Sequence, residues 1–171
     1  KPYSFDESGY FFEVSALNDV KKLYEQMLPD GGCSLDQERS IIEENQYCYA
    51  LSSERGEGYF WYYFYENMFV IEKQDFLFYD EFFLESPEPD FISVQYFFSV
   101  SGEEFHPYRQ LSPNSLRVYV GGNGKTFQAV YHKNIPIRSI SISIMPDFYN
   151  NYLKEKLGGE YIDPRNAFKG L

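Results

Sequence analysis

Only two histidines, His106 and His132, occur in the chain, and they do not form an HxH pair. A metal centre inside a small β-barrel needs several imidazoles and a carboxylate converging from neighbouring strands. Two histidines completed by Glu103 or Glu104 would be its sparsest version, and hydrogen-bonded or surface histidines are the simpler reading. No metal and no cofactor is therefore expected. The stretch Gly121-Gly122-Asn123-Gly124-Lys125-Thr126 ends like a phosphate-binding loop, but such a loop wants Gly where Tyr119 stands and a helix afterwards. Phe127 to Tyr131 reads as strand, so a hairpin turn is expected there, with Gly and Asn supplying positive φ angles. No GxSxG elbow points to a nucleophilic triad. A chain with 26 acids always contains some carboxylate pair at a glycosidase distance, so that test is empty. Cys33 and Cys48 lack CxxC spacing and suggest neither a disulfide framework nor a zinc site. The expectation is a chain without catalytic machinery.

The informative concentration is aromatic. Tyr59-Phe60-Trp61-Tyr62-Tyr63-Phe64-Tyr65 puts large rings on both faces of one strand, where an ordinary barrel wall needs them only inside. Core packing on one side and a helix or partner subunit on the other would account for this. The functional reading is a cavity lined by Trp61, Tyr63 and Tyr65, joined from other strands by Tyr96, Phe98, Tyr119 and Tyr131. Alternation permits that cavity without fixing which face points inward. Arg138 shares a strand face with Ile140, Ile142 and Ile144, which would put a guanidinium near one end of the interior. There it could bind a ligand carboxylate or phosphate, or pair with one of the many acids.

These residues need elements to hold them. Leu17, Val20, Tyr24, Met27 and Leu28 recur at helical spacing, and Gly31-Gly32 follows, so an amphipathic helix is expected over 16–28. From about Ile41 to Met145, short aromatic and β-branched runs alternate with turn signals at 55–58, 66–67, 86–89, 101–102, 112–114, 121–124 and 132–134. That rhythm predicts an all-β barrel or sandwich of about eight strands. Ile92, Val94, Tyr96, Phe98 and Val100 alternate with Ser93, Gln95 and Ser99, and Ile140, Ile142 and Ile144 with Ser139, Ser141 and Ser143. The apolar member of each set is expected to face the core. After the barrel, Pro146 and Asp147 open a helix whose Tyr149, Leu153 and Leu157 stripe is the candidate dimer surface, closed by Gly158-Gly159. Asp163-Pro164-Arg165 starts a further helix. The expected divisions are 1–40, 41–145 and 146–171.

Composition sets the class. With 43% hydrophobic and 20% aromatic residues the chain exceeds what a disordered segment carries. A formal charge of −11 disfavours direct contact with phosphate backbones. No apolar run approaches the ~20 residues a membrane span needs, and no signal peptide is visible, so a cytoplasmic location and no membrane partner are expected.

Three stretches, with the order of elements, carry a resemblance. They are Gly56-Glu57-Gly58-Tyr59-Phe60-Trp61; Ser101-Gly102-Glu103-Glu104 followed by Pro107-Tyr108-Arg109; and Pro136-Ile137-Arg138-Ser139-Ile140 running to Ile144-Met145-Pro146. Over about 41–168 the chain resembles the N-terminal effector-binding domain of AraC-type transcription regulators. The resemblance implies a cupin-like double-stranded β-barrel with an N-terminal helix and C-terminal helices, which binds a small-molecule effector and associates as a homodimer. DNA would be read only through a C-terminal helix-turn-helix domain lying outside this sequence. Ligand contacts vary among such regulators, so none is carried over. The alternatives are a cupin-fold enzyme, such as an isomerase or dioxygenase, and a non-catalytic ligand-carrying barrel.

Overall fold

The structure is a computed structural model that describes residues 20–88, 90–122 and 126–167. Strand follows strand through most of the chain: β1 (Cys33–Leu35), β2 (Gln46–Leu51), β3 (Gly56–Tyr65), β4 (Phe69–Phe78), β5 (Phe82–Pro87), β6 (Ile92–Ser99), β7 (Gly102–Phe105), β8 (Arg109–Leu111), β9 (Ser115–Val120), β10 (Thr126–Tyr131) and β11 (Ile137–Ile144). They form two antiparallel sheets. One has seven strands in the order β1-β2-β3-β4-β11-β6-β9, the other four in the order β5-β10-β7-β8. Phe60, Tyr62 and Phe97 from the first sheet and Ala129, Tyr131 and Leu111 from the second join one core, so the sheets close on each other as a cupin-like barrel.

The tally of described strands, eleven, exceeds the eight expected, because β1, β7 and β8 are three or four residues long and carry little periodicity of their own. The sheet also begins before Ile41, since β1 pairs with β2 through Cys33↔Leu51. Of the expected turns, Pro89 and residues 123–124 lie outside the described residues. The strands approach closely where Gly permits. At Gly58, φ is +120° and an added Cβ would lie 1.9 Å from the Asp75 carbonyl oxygen on β4.

Helix α1 spans Val20–Asp30 and buries Val20, Leu23, Tyr24 and Leu28 against the barrel. Leu17 and the rest of 16–19 lie outside the described residues. The helix ends where Gly32 turns left-handed, at φ +88°, and its N–H donates to the Pro29 carbonyl at 2.9 Å. At the other end, the expected continuous helix from Pro146 is instead a π-helical turn (Asp147–Tyr152) running into α2 (Leu153–Leu157), then a 3-10 turn (Gly158–Glu160) and α3 (Pro164–Ala167). Tyr149 is wholly buried and its hydroxyl lies 3.3 Å from Asp90 Oδ1, which ties this segment back to the barrel. Among the described residues no helix is long and apolar enough to cross a membrane.

The inward and outward faces of two strands are the reverse of expectation. In β11, Ser139, Ser141 and Ser143 are buried while Ile140 and Ile142 are exposed. In β6, Ser93 and Phe97 are buried while Val94 and Phe98 are exposed; of the expected inward set only Ile92 and Val100 are buried. A bulge where Arg138 pairs with Ser99 and Ser139 with Phe97 resets the pattern near the end of β6. The physical reason lies across the sheet: the serines meet polar partners on β4 and β6 that are also turned inward.

Candidate ligand-binding interior

Strand register builds this interior rung by rung. Ser141 of β11 stands between Glu72 of β4 and Gln95 of β6, and Gln95 stands beside Arg117 of β9. One rung along, Ser139 lies between Gln74 and Phe97; on the other side, Ser143 lies between Val70 and Ser93, with Tyr119 next. Residues directly opposite on one face of a sheet are within side-chain reach, so the register converts four strands into a polar ladder. Its hydrogen bonds fall into clusters, one gathered on Glu72 and one on Ser139. Ser141 donates to Glu72, as does the Tyr24 hydroxyl of α1. Ser143 Oγ lies 2.9 Å from Ser93 Oγ and 3.4 Å from Glu72 Oε2. Gln95 Nε2 donates to Ser139 Oγ at 2.9 Å, and that hydroxyl donates to Gln74 Oε1 at 3.2 Å.

The ladder crosses to the second sheet through Tyr119, whose hydroxyl donates to Glu104 of β7. Arg117 Nη2 donates to the Gln110 carbonyl at 2.5 Å, while its Nε is buried with no hydrogen-bond partner among the described residues. The buried polar residues of the described chain, Glu72, Ser93, Glu104, Ser139, Ser141 and Ser143, all belong to this seam. A buried network of this kind is tolerated because its members satisfy one another.

Burial sets the protonation. It pushes the Glu72 carboxyl up to about 7, against the lowering effect of hydrogen bonds from Ser141 and Ser143. Burial also raises Glu104, opposed by Tyr119 and by the Arg117 and Arg109 charges. Tyr131 is pushed well above the ordinary phenol range, by burial and then by the Glu104 charge. Burial pushes the Cys33 thiol up to about 11, so it stays protonated at neutral pH and is a poor nucleophile.

Beside the ladder, under the C-terminal half of α1, lies a hollow of about 80 Å³. Its wall is apolar on most sides, with Leu28, Phe60, Phe76, Phe78, Phe82 and Leu84, and polar at Gln74 and Tyr131. Gln74 thus faces the hollow and the ladder together. A cavity of about 150 Å³ takes benzene, so this one admits a guest of roughly three or four non-hydrogen atoms, and a larger guest requires α1 to move.

The residues singled out from the sequence divide between the two sides of the barrel wall. Tyr131 lines the hollow and Tyr119 belongs to the ladder. Trp61, Tyr63 and Tyr65 alternate with buried Phe60 and Tyr62 and stand on the outer face, as do Tyr96 and Phe98. Arg138 is also outside, paired with Asp75 at 3.1 Å in an exposed ion pair. Of the expected dimer stripe, Tyr149 is buried within its own fold, Leu153 is half-buried and Leu157 is exposed. The residues that the sequence did not single out are Glu72, Gln74 and the serines of β11. The serines carry a signal in their alternation, read from the sequence as the solvent face, while Glu72 and Gln74 carry none.

The interior does not fit a metal of the kind small barrels hold. Among the described residues no three His, Cys, Asp or Glu converge. His132 Nδ1 is 2.8 Å from the Ser101 hydroxyl, and the ladder's donor set is hydroxyls, amides and separate carboxyls.

No protein-family model matches the sequence, and no curated protein is similar to it. Similar solved structures are cupin domains. The cupin domain of Schizosaccharomyces pombe Cnp3 aligns with 77% of this chain and 78% of its own, at 11% identity and a TM-score of 0.42. An HTH_3 family transcriptional regulator from Vibrio cholerae aligns with 64% of this chain and 56% of its own, at 13% identity and a TM-score of 0.39. Ectoine synthase from P. lautus aligns with 64% of this chain and 75% of its own, at 8% identity and a TM-score of 0.38. The likeness concerns the fold alone and does not single out the AraC family. It also corrects the expectation of a chain without catalytic machinery. A regulator and an enzyme are both among the similar structures, so that expectation does not stand.

Proposed function

We propose that this chain is a cupin-like domain that binds a compact, mainly apolar small molecule between α1 and the barrel, as the effector-sensing part of a transcription regulator resembling the AraC family. The observation that carries the reading is the hollow roofed by α1, with Gln74 and Tyr131 as its polar points. Apolar walls supply affinity and a few placed polar groups supply orientation. Glu72 and Glu104 in the same interior, in a chain of charge −11, weigh against an anionic guest.

Occupancy reaches the rest of the molecule through α1. Leu28 of that helix touches the hollow and Tyr24, one turn earlier, holds Glu72, so a guest that displaces the helix changes the ladder. A ligand shifts such an equilibrium only by its differential affinity for the two arrangements. DNA contact belongs to another part of the polypeptide.

The test is thermal unfolding of the chain against small neutral alcohols, ketones and aromatic compounds. A binder raises the midpoint, and Leu84→Trp, which fills the hollow, removes the response. An equal response in that variant, or none in the native chain, overturns the reading. A second reading, turnover of the guest, draws on Glu72, whose raised pKa makes it both a proton donor and an acceptor near neutrality. Under it Glu72→Gln abolishes conversion of a bound compound, followed by NMR, while binding persists.

A further inference from the structure

The outer face of the seven-stranded sheet is built like an interior. Across four adjacent strands, β4, β11, β6 and β9, register places Ile142 beside Ile71 and Val94, Val94 beside Val118, and Tyr96 between Ile140 and Leu116. Ile140, Ile142, Val94, Phe98, Leu116 and Val120 are between 37% and 62% exposed. β4, β11 and β6 are central strands and β9 is the edge, all with polar residues on their inner side, so each carries its apolar set where no other element of the described chain covers it. Antiparallel sheets that face water on one side place polar residues there, and this one does the opposite.

Two observations point to what covers it. The first is charge. The chain carries 26 acids and a net charge of −11, yet the outward positions of these four strands hold one acid, Asp75, tied to Arg138 at 3.1 Å. Two copies repel each other over most approaches and least through this face. The second is area. The exposed residues present roughly 600 Å² of apolar surface, the upper end of what a monomer shows, so two copies would bury about 1,200 Å², above the ~1,000 Å² at which an interface holds.

We infer that this face is the interface of a two-fold homodimer, sheet against sheet, with β11 near the axis and Ile140 and Ile142 of each copy at its centre. An isologous contact of this kind sets the same patch against itself, and the Arg138–Asp75 pairs fall toward its rim. The stripe expected from the sequence to carry association is left with Leu153 and Leu157, because Tyr149 is buried. The inference is independent of the ligand reading and stands or falls on oligomeric state.

Sedimentation equilibrium of the whole 171-residue chain, from about 1 to 200 µM, tests it. The native chain is expected to dimerise, and Ile140→Glu with Ile142→Glu is expected to raise the dimer Kd about 100-fold or more with an unchanged circular dichroism spectrum. Leu116→Lys, on the edge strand β9 and 62% exposed, is the gentler variant should the double substitution unfold, and it too weakens the dimer. Leu157→Glu leaves it intact. A chain that is monomeric throughout overturns the inference. A dimer that survives the outer-face variants, or one that Leu157→Glu dissolves, overturns it as well.

Discussion

Under α1, strands β2 and β3 turn Tyr47, Tyr49, Phe60 and Tyr62 into the barrel; Tyr47 and Tyr49 stack on Tyr62, and Tyr24 meets Phe60 edge-on and Tyr62 at a tilt. Two strands further along the same sheet, β11 and β6 turn serines and Gln95 inward and leave Ile140, Ile142, Val94 and Phe98 outside. Both regions present two unlike faces, although β2 buries Tyr47, Cys48 and Tyr49 in succession and β6 carries a bulge. The difference teaches that alternation separates two faces of a strand without ranking them: a strand buries whichever face its neighbours can satisfy. In the first region the satisfied face is apolar and gains from leaving water. In the second it is polar, held by hydrogen bonds across three strands, and the apolar face is left for a partner.

The comparison can be broken first at its aromatic end. Tyr62 is fully buried among five rings, so Tyr62→Ala is expected to destabilise by about 3–5 kcal/mol, read by denaturant unfolding. A loss below about 1 kcal/mol would mean that the cluster is loosely packed.

The next effect belongs to the polar end and depends on pH. Glu72 is raised from 4.5 to about 7 in the folded chain, so between those values the folded state binds the proton more tightly than the unfolded one. Stability is then highest below about pH 4.5 with respect to this group and declines as pH rises through 7, by about 3 kcal/mol in all. Chemical denaturation at pH 5 and pH 8 should show this decline, and Glu72→Gln should flatten it. An unchanged slope in the variant would remove Glu72 as its source.

A smaller effect comes from the ladder's middle. Ser139 accepts from Gln95 and donates to Gln74, so Ser139→Ala leaves two half-buried amides short of a partner and should cost about 1–2 kcal/mol. Smallest of all is Arg138→Ala, which removes an exposed ion pair with Asp75 and should change monomer stability by no more than about 0.5 kcal/mol. A larger loss would mean that the pair is more constrained than its exposure implies.

Much of the architecture was legible in the sequence. The Val20, Tyr24, Met27 and Leu28 spacing gave α1, and the turn signals gave a mainly β barrel; the helices after Pro146 also follow, in broken form. The site was legible only in part. Tyr119 and Tyr131 face inward, while Trp61, Tyr63, Tyr65, Tyr96, Phe98 and Arg138 stand outside, because large rings signal burial against something without saying what. Glu72 and Gln74 left no trace, since one carboxyl among 26 acids carries no mark of its partners.

Local chemistry therefore determined which residues form strands, where the chain turns and that each strand has two unlike faces, since those follow from neighbours along the chain. Which face looks inward, which acid holds its proton and where a hollow remains were decided only when register set Ser141 beside Glu72 and Tyr119 against Glu104. Those pairings join residues far apart in sequence, and their energy exists only once distant strands lie side by side.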